Sequence, residues 1–299
     1  AYYAVVGDAA PTIVPGVNSL VACTPEQHRT FPEAVFLGQV ENYGNTGAIA
    51  REYYAWEDAT TWIPAWGYYG HRFTVTLPQA PRVPPHPLIL SLHAAGTTGY
   101  VESLGETVAN DGVTVSPVDL TFDAATPDPY AGAGYGYSKW FGRFNPETGL
   151  HMTVTEDRLA RYVALVRDNT VGDGFDFQIA PARVYVKGAS LGSGGMHLAS
   201  HRPELFAGVF TAVGFINDDA ALATPQNTTR RVNDLIGPTV AQAQDMAAQA
   251  AQRVFPPIVH TFNTNDPQVN ASAYPAALMA FEALKQPYAA QWKTDGHQG

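Results

Sequence analysis

The residues best suited to covalent chemistry form the run Gly188-Ala189-Ser190-Leu191-Gly192. A serine nucleophile must project from a turn so tight that the residues two before and two after it carry almost no side chain, which is why glycine occupies both positions. The run follows an apolar, β-type segment and precedes a segment of helical pattern, the context in which this motif is informative. The sequence therefore predicts that Ser190 is a nucleophile and that the backbone N–H of Leu191 faces the oxyanion formed by its attack.

Two other interpretations of the same run are a glycine-rich packing turn with a buried serine and a phosphate-binding loop. A phosphate-binding loop would end in Gly-Lys-Ser or Gly-Lys-Thr, whereas the basic residue here, Lys187, precedes the turn. The nucleophile interpretation is favoured over both.

A serine becomes an effective nucleophile when a histidine takes its proton and a carboxylate orients that histidine. In strand–turn–helix enzymes of this kind, both partners follow the serine at the ends of later strands, the acid first. Asp266 follows a predicted strand at 258–262, and His297 follows the predicted strand at 288–292. We therefore expect Asp266 to be the acid and His297 the base. The alternative acids, which follow the preceding strand, are Asp218 and Asp219.

Three other histidines lie near these elements. His197 and His201 fall on the helix that follows Ser190, from which they cannot swing back to the serine. Their i, i+4 spacing could bind zinc, but Leu198 replaces the glutamate that a zinc-protease helix requires. His260 lies in the middle of a predicted strand and is expected to be a packed core residue.

A second oxyanion donor is expected from the loop that follows the strand at 88–92. That loop begins His93-Ala94-Ala95. We predict the backbone N–H of Ala95 as the donor, with Ala94 as the alternative, and a structural role for His93.

An aromatic, glycine-rich segment at 132–141 follows another predicted strand. Loops that leave the carboxyl ends of parallel strands line the active-site crevice. Its rings could form an apolar platform for substrate, or they could merely cover the core. The predicted substrate-binding residues are Tyr135, Tyr137 and Trp140.

Strand and helix patterns alternate along the chain from His71 onward. Continuous apolar runs such as 88–92 are typical of strands buried on both faces, and residues 155–169 show the period of an amphipathic helix. This alternation predicts an α/β fold with a mostly parallel central sheet covered by helices on both faces. Strands are predicted at 71–77, 88–92, 113–116, 183–186, 208–213, 258–262 and 288–292. Further helices are predicted from the glycine-rich turn to about Ser200, at 239–252 and at 274–285.

The first part of the chain has a different pattern. Residues 1–68 show scattered glycine and proline with an aromatic cluster that includes Trp56 and Trp62, and no convincing helical period. We therefore predict an N-terminal extension at 1–68, with room for a few strands, and a catalytic domain at 69–299.

Composition excludes several classes of function. The formal net charge of −10, from 17 Lys and Arg against 27 Asp and Glu, disfavours nucleic acid and anionic membrane surfaces as partners. The single cysteine, Cys23, excludes an intrachain disulfide and a thiolate metal cluster. No apolar stretch approaches the roughly 20 residues of a membrane span. We expect a secreted protein, extracellular or periplasmic, whose signal peptide is absent from this chain, with no metal and no cofactor; the oligomeric state is not predicted.

These residues resemble the α/β-hydrolase superfamily and, within it, the secreted esterases that include feruloyl esterases, acetylxylan esterases and polyhydroxybutyrate depolymerases. The resemblance covers roughly 70–299 and lies in the run from Arg183 to Met196, in Arg202-Pro-Glu-Leu-Phe-Ala207, in the His93 loop and in Gly296-His297. Two departures stand out: His93-Ala94 replaces the family's frequent His-Gly, and Asn263-Thr-Asn-Asp266 replaces its frequent His-Gly-Thr-x-Asp.

The resemblance implies a serine carboxylic-ester hydrolase that works through an acyl-enzyme on aryl, cell-wall (feruloyl or acetyl) or polyester esters. A serine peptidase similar to prolyl oligopeptidases shares the fold and triad and is the enzymatic alternative. The alternative of another class is a non-catalytic binding protein with the same fold, which would have no need to keep Ser190, Asp266 and His297.

Overall fold

The structure, a computed structural model, describes residues 34–43, 48–58, 68–78, 83–94, 112–118, 140, 143–144, 151–152, 154–213, 256–266, 278, 282, 285–294 and 296. The strands are β1 (Val35–Tyr43), β2 (Ala48–Asp58), β3 (Tyr68–Leu77), β4 (His86–Leu92), β5 (Val113–Pro117), β6 (Arg143–Phe144), β7 (His151–Met152), β8 (Ile179–Ala189), β9 (Gly208–Ala212), β10 (Ile258–Asn263) and β11 (Tyr288–Lys293). The helices are α1 (Val154–Arg167) and α2 (Gly195–His201), with 3₁₀ turns at Ser190–Gly194 and Pro203–Leu205.

Nine of these strands form one sheet, in the order β1-β2-β3-β5-β4-β8-β9-β10-β11. All strands from β5 to β11 in that order pair in parallel. The prediction of a mostly parallel sheet is therefore confirmed. Since parallel strands all end at the same edge, the segments that follow β4, β8, β9, β10 and β11 meet there.

The remaining part of the sheet is antiparallel. β3 pairs with β5 and with β2, and β2 pairs with β1. Both β1 and β2 come from the segment predicted as an N-terminal extension, and they continue the main sheet. The compact unit of which these strands are part begins at Glu33.

The strands predicted from the sequence match the observed ones, except that the strand predicted at 208–213 extends one residue beyond β9. All residues of β4 and β5 are buried, as expected for strands in the middle of a sheet. The predicted helix at 239–252 lies outside the described residues. Of the helix predicted at 274–285, the structure describes Leu278 and Glu282 as helical.

Helix α1 supports the sheet through one apolar face. Leu159, Tyr162, Val163 and Val166 are buried, in agreement with the helical period of the sequence. The Tyr162 ring stacks on Phe73 of β3 with centroids 4.4 Å apart. The core cluster therefore joins α1 to both the antiparallel and the parallel strands.

A buried charged network fixes the antiparallel strands to the loop after α1. Arg51 Nη2 lies 2.6 Å from Asp173 Oδ2, and the Tyr53 hydroxyl donates to the same oxygen at 2.8 Å. The guanidinium lies 4.4 Å from the ring centre of Phe36 and 4.2 Å from that of Phe175. Each charged group therefore finds its partner inside the network, which burial requires.

Candidate active site

Ser190 lies directly between β8 and α2, in a backbone conformation that favours glycine. Its φ is +52°, whereas Ala189 before it is extended, with φ −117° and ψ 151°. A non-glycine residue in the left-handed region costs on the order of 1–3 kcal/mol and persists where its surroundings impose it. The chain therefore leaves the extended strand sharply at Ser190, which is the turn that the motif predicts.

The two glycines of the motif are required by close backbone approaches. A Cβ at Gly188 would lie 2.1 Å from the carbonyl oxygen of Gly192, and a Cβ at Gly192 would lie 2.0 Å from that of Leu92. Both distances are far inside van der Waals contact. The contact between Gly188 and Gly192 makes the turn tight, and the contact between Gly192 and Leu92 packs the turn against the end of β4.

Hydrogen bonds within the turn stabilise it further. Ser193 Oγ donates to the carbonyl of Ser190 at 2.6 Å, and the N–H of Gly195 reaches the carbonyls of Gly192 and Ser193. Leu191 lies inside the same 3₁₀ turn. Its predicted role as oxyanion donor stays a prediction.

The end of β4 brings the second predicted oxyanion segment to the turn. The Leu92 carbonyl touches Gly192, and the side chain of His93 is buried. His93 Nδ1–H donates to the carbonyl of Ala94 at 2.8 Å, a local bond suited to the structural role expected of it. Ala95 lies outside the described residues, and its role as donor stays a prediction.

Trp140 lies beneath this segment rather than on the surface. Its side chain is fully buried, and its indole N–H donates to the carbonyl of His93 at 3.0 Å. The His93 and Trp140 rings meet edge to face, with centroids 5.0 Å apart. These contacts favour the second interpretation of this segment, in which the ring covers the core, and they make Trp140 a support for the His93 peptide. Contact between Trp140 and substrate stays a prediction. Tyr135 and Tyr137 lie outside the described residues.

The predicted acid follows β10, at the edge of the sheet where Ser190 follows β8. Asp266 is partly exposed, whereas His297, Asp218 and Asp219 lie outside the described residues. Gly296, directly before His297, has a φ of +80°. The assembly of Ser190, Asp266 and His297 into a triad therefore stays a prediction.

His260 is a core residue, as the sequence suggested. It is buried in β10, with Nδ1 at 2.5 Å from the hydroxyl of Thr211. Burial lowers the pKa of His260 to about 3, so the ring is neutral at physiological pH. His197 and His201 lie on α2 as predicted.

Two contacts at this edge were not predicted. Asn263 donates to the carbonyl of Gly296, and Trp140 donates to that of His93. The sequence signal for the first is a polar residue at the carboxyl end of a predicted strand. Within the described residues, no group of three or more His, Cys, Asp or Glu side chains could hold a metal ion.

Comparison with solved structures matches this geometry to known folds. An S-formylglutathione hydrolase from Agrobacterium tumefaciens superposes with a TM-score of 0.57 at 15% identity, over 88% of this chain and 92% of that one. An acetyl xylan esterase from Paenibacillus sp. R4 gives a TM-score of 0.57 at 14% identity, over 90% and 84%. The chain has the α/β-hydrolase fold. A third α/β-hydrolase, acetyl xylan esterase 1 from Thermoanaerobacterium sp. JW/SL YS485, gives 0.54 at 13% identity, over 90% and 82%.

Sequence comparison gives no further assignment. No protein-family model matches the chain, and no curated protein is similar to it in sequence. The helices of the described residues are all too short or too polar to cross a membrane.

Proposed function

We propose that the protein is a serine carboxylic-ester hydrolase. The observation that carries the proposal is the conformation of Ser190, which has a φ of +52° between β8 and α2. Gly188 and Gly192 allow this turn because a Cβ at either position would clash with a backbone carbonyl. Backbone strain of this kind clusters at active sites, which supports a catalytic role for Ser190. The similarity in fold to an S-formylglutathione hydrolase and to two acetyl xylan esterases supports the same reaction type.

In the proposed mechanism, His297 takes the proton of the Ser190 hydroxyl as its oxygen attacks the ester carbonyl. The backbone N–H groups of Leu191 and Ala95 stabilise the oxyanion, and Asp266 orients the imidazolium. His297 then gives the proton to the leaving alcohol, which leaves an acyl-enzyme. Water, deprotonated by His297, attacks the acyl carbonyl and releases the acid and free Ser190.

The proposed substrates are aryl, feruloyl, acetyl or polyester esters. Tyr135 and Tyr137 are the candidates for contact with an aryl group or a polymer chain, whereas Trp140 would act through the His93 peptide. Such substrates suit an extracellular or periplasmic enzyme, although the location stays a prediction. A higher kcat/KM for methyl ferulate than for methyl acetate, reduced by Tyr137→Ala, would support the aryl preference.

The decisive experiment measures hydrolysis of p-nitrophenyl acetate by the wild type, Ser190→Ala and Ser116→Ala. The last removes another buried serine hydroxyl, on a strand with no predicted site residue. We expect Ser190→Ala to lose at least about a thousandfold in kcat and Ser116→Ala to keep its activity. A fluorophosphonate probe should label Ser190, as mass spectrometry of the digested protein would show.

Three results would contradict the proposal. Activity that survives Ser190→Ala would place the chemistry elsewhere. Rapid cleavage of a prolyl amide with negligible ester turnover would favour a peptidase. Absence of both hydrolysis and labelling would favour a non-catalytic binding protein.

A further inference from the structure

The loops after β10 and β11 are joined by a set of hydrogen bonds beyond the strand pairing itself. The parallel pairing of these strands ends at Asn263 and Lys293. Past that point, Thr264 donates from its backbone N–H at 3.0 Å and from its hydroxyl at 3.3 Å to the Lys293 carbonyl. Asn265 Nδ2 donates to the carbonyl of Thr294 at 3.2 Å, and Asn263 Nδ2 donates to that of Gly296.

Burial separates the bond of Asn263 from the others. Asn263 has no exposed surface, whereas the bonds of the Thr264 hydroxyl and the Asn265 amide lie at the exposed surface. An exposed amide can exchange its partner for water at little cost. A buried amide that loses its partner has no water to replace it and keeps the full cost of its desolvation. The Asn263 bond therefore holds its loop more strongly than its neighbours do.

The acceptor of this bond belongs to the peptide group of the predicted base. The Gly296 carbonyl and the His297 nitrogen share one peptide unit, which is planar and includes the Cα of His297. Fixing the oxygen of Gly296 therefore restricts the position of that Cα. Gly296 adopts a φ of +80°, which glycine does without strain.

The residue that makes this bond also starts the loop of the predicted acid. Asp266 lies three residues after Asn263 in the chain. One short segment therefore carries the carboxylate and holds the backbone of the histidine. The separation of acid and base then depends on the hydrogen bond by which the β10 loop holds the β11 loop.

We infer that Asn263 is a positioning residue that holds His297 in register with Asp266 and Ser190. The inference rests on the proposed function, because it gives Asn263 a role through His297. Without the amide donor, the Gly296 peptide can rotate and carry the imidazole away from the serine. A displacement of about 1 Å at a reacting group can cost on the order of a hundredfold in rate.

The test compares p-nitrophenyl acetate hydrolysis by the wild type, Asn263→Ala and the matched control Asn265→Ala. We expect Asn263→Ala to lower kcat by roughly 10- to 100-fold with KM within about twofold. Asn265→Ala should change kcat by less than about twofold, because its bond is exposed. Asn263→Asp, which keeps the shape of the side chain but lacks the N–H donor, should behave like Asn263→Ala.

A double-mutant cycle with His297→Ala separates positioning from a general structural role. If Asn263 acts through the histidine, Asn263→Ala should leave the residual activity of His297→Ala unchanged within about twofold. A further loss comparable to that in the wild-type background would overturn the inference, as would unchanged kcat in both Asn263 variants. Failure of both variants to fold would also overturn it, because Asn263 would then be a folding residue.

Separate measurements on the wild type test the proposed function. Wild-type hydrolysis and fluorophosphonate labelling of Ser190 test the esterase itself. An active wild type with equally active Asn263 variants overturns the role of Asn263 alone, whereas an inactive, unlabelled wild type overturns the esterase.

Discussion

The antiparallel and parallel parts of the sheet use their polar side chains in different ways. In the antiparallel part, Arg51 and Tyr53 bond to Asp173, side chain to side chain, beneath the surface. At the carboxyl edge of the parallel part, Asn263 of β10 and Trp140, which lies outside the sheet, donate instead to backbone carbonyls of segments that lead into the predicted site. Hydrogen bonds between side chains stabilise the fold. Hydrogen bonds from a side chain to a backbone carbonyl fix the position of a loop.

The difference follows from strand direction. Antiparallel neighbours end at opposite edges, so their terminal residues are distributed between two sides of the sheet. Parallel neighbours end at one edge, where residues from several strands meet. Changes to the side chains that hold backbone at this edge should therefore alter activity, and changes to the antiparallel network of Arg51, Tyr53 and Asp173 should alter stability alone.

The largest expected effect comes from glycine replacement at the nucleophile turn. In Gly192→Ala the added Cβ would meet the Leu92 carbonyl at 2.0 Å, so the turn and the end of β4 must separate. We expect kcat/KM for p-nitrophenyl acetate to fall at least about a hundredfold, comparable to loss of an oxyanion donor. The control is Gly38→Ala in β1, where a Cβ meets nothing within 4 Å. Equal activity of the two variants would contradict the comparison.

A large effect on stability is expected at Arg51. Arg51→Met leaves Asp173 and Tyr53 buried without the guanidinium, which should lower the free energy of unfolding by about 3 kcal/mol or more. Urea unfolding measures this change, and kcat of the folded protein should stay the same. Arg167→Met, which removes the more exposed ion pair with Asp168, should cost less than about 1 kcal/mol. A reduced kcat in folded Arg51→Met would show that the two regions are coupled.

The pH dependence of the free energy of unfolding should differ between His260 in the parallel part and Asp173 in the antiparallel network. The pKa of His260 is lowered by burial from 6.5 to about 3, so between these values the unfolded chain binds a proton that the folded protein does not. The free energy of unfolding should therefore decrease as pH falls from about 6 to 4, by about 1 kcal/mol per pH unit from this group. His260→Gln should remove that part of the slope.

Asp173 provides the contrast. Burial alone would raise the pKa of Asp173, but hydrogen bonds from Arg51, the Phe175 N–H and Tyr53 lower it below its ordinary 3.8. The contribution of Asp173 to the free energy of unfolding is therefore fully present above pH 3.8 and is lost only as the pH falls through the folded-state pKa. Asp173→Asn should lower stability across pH 4–6 without changing the slope. If Asp173→Asn flattened the dependence of the free energy of unfolding on pH, the titration would belong to Asp173 and not to His260.

The smallest expected effect is at Trp140. Trp140→Phe keeps most of the buried ring but removes the N–H that donates to the His93 carbonyl. We expect kcat to fall severalfold, by no more than about tenfold, which corresponds to one hydrogen bond of roughly 1 kcal/mol. Trp56→Phe replaces a partly exposed tryptophan of β2 and should leave kcat unchanged. Equal effects of the two substitutions on kcat would show that Trp140 does not support the site.

The parts of the fold that could be predicted have regular local patterns. β4 and β5 are fully buried apolar runs, and α1 keeps its helical period. β1 and β2 lie in the segment predicted as an irregular extension with room for a few strands, whose bounds the sequence did not predict. The pairing of β1 with β2 has irregularities between Phe36 and Gly38 and between Val40 and Tyr43. These shifts break the alternation from which a strand is recognised.

The sequence by itself determined the nucleophile turn, because the glycines that permit it lie two residues on either side of Ser190. It also determined the mostly parallel sheet, since apolar runs alternate with helical segments. Only the tertiary structure decided that Asn263 holds the Gly296 peptide and that Trp140 supports His93. These partners are 33 and 47 residues apart in the chain, and a side chain carries no local signal for a backbone carbonyl that packing alone brings to it.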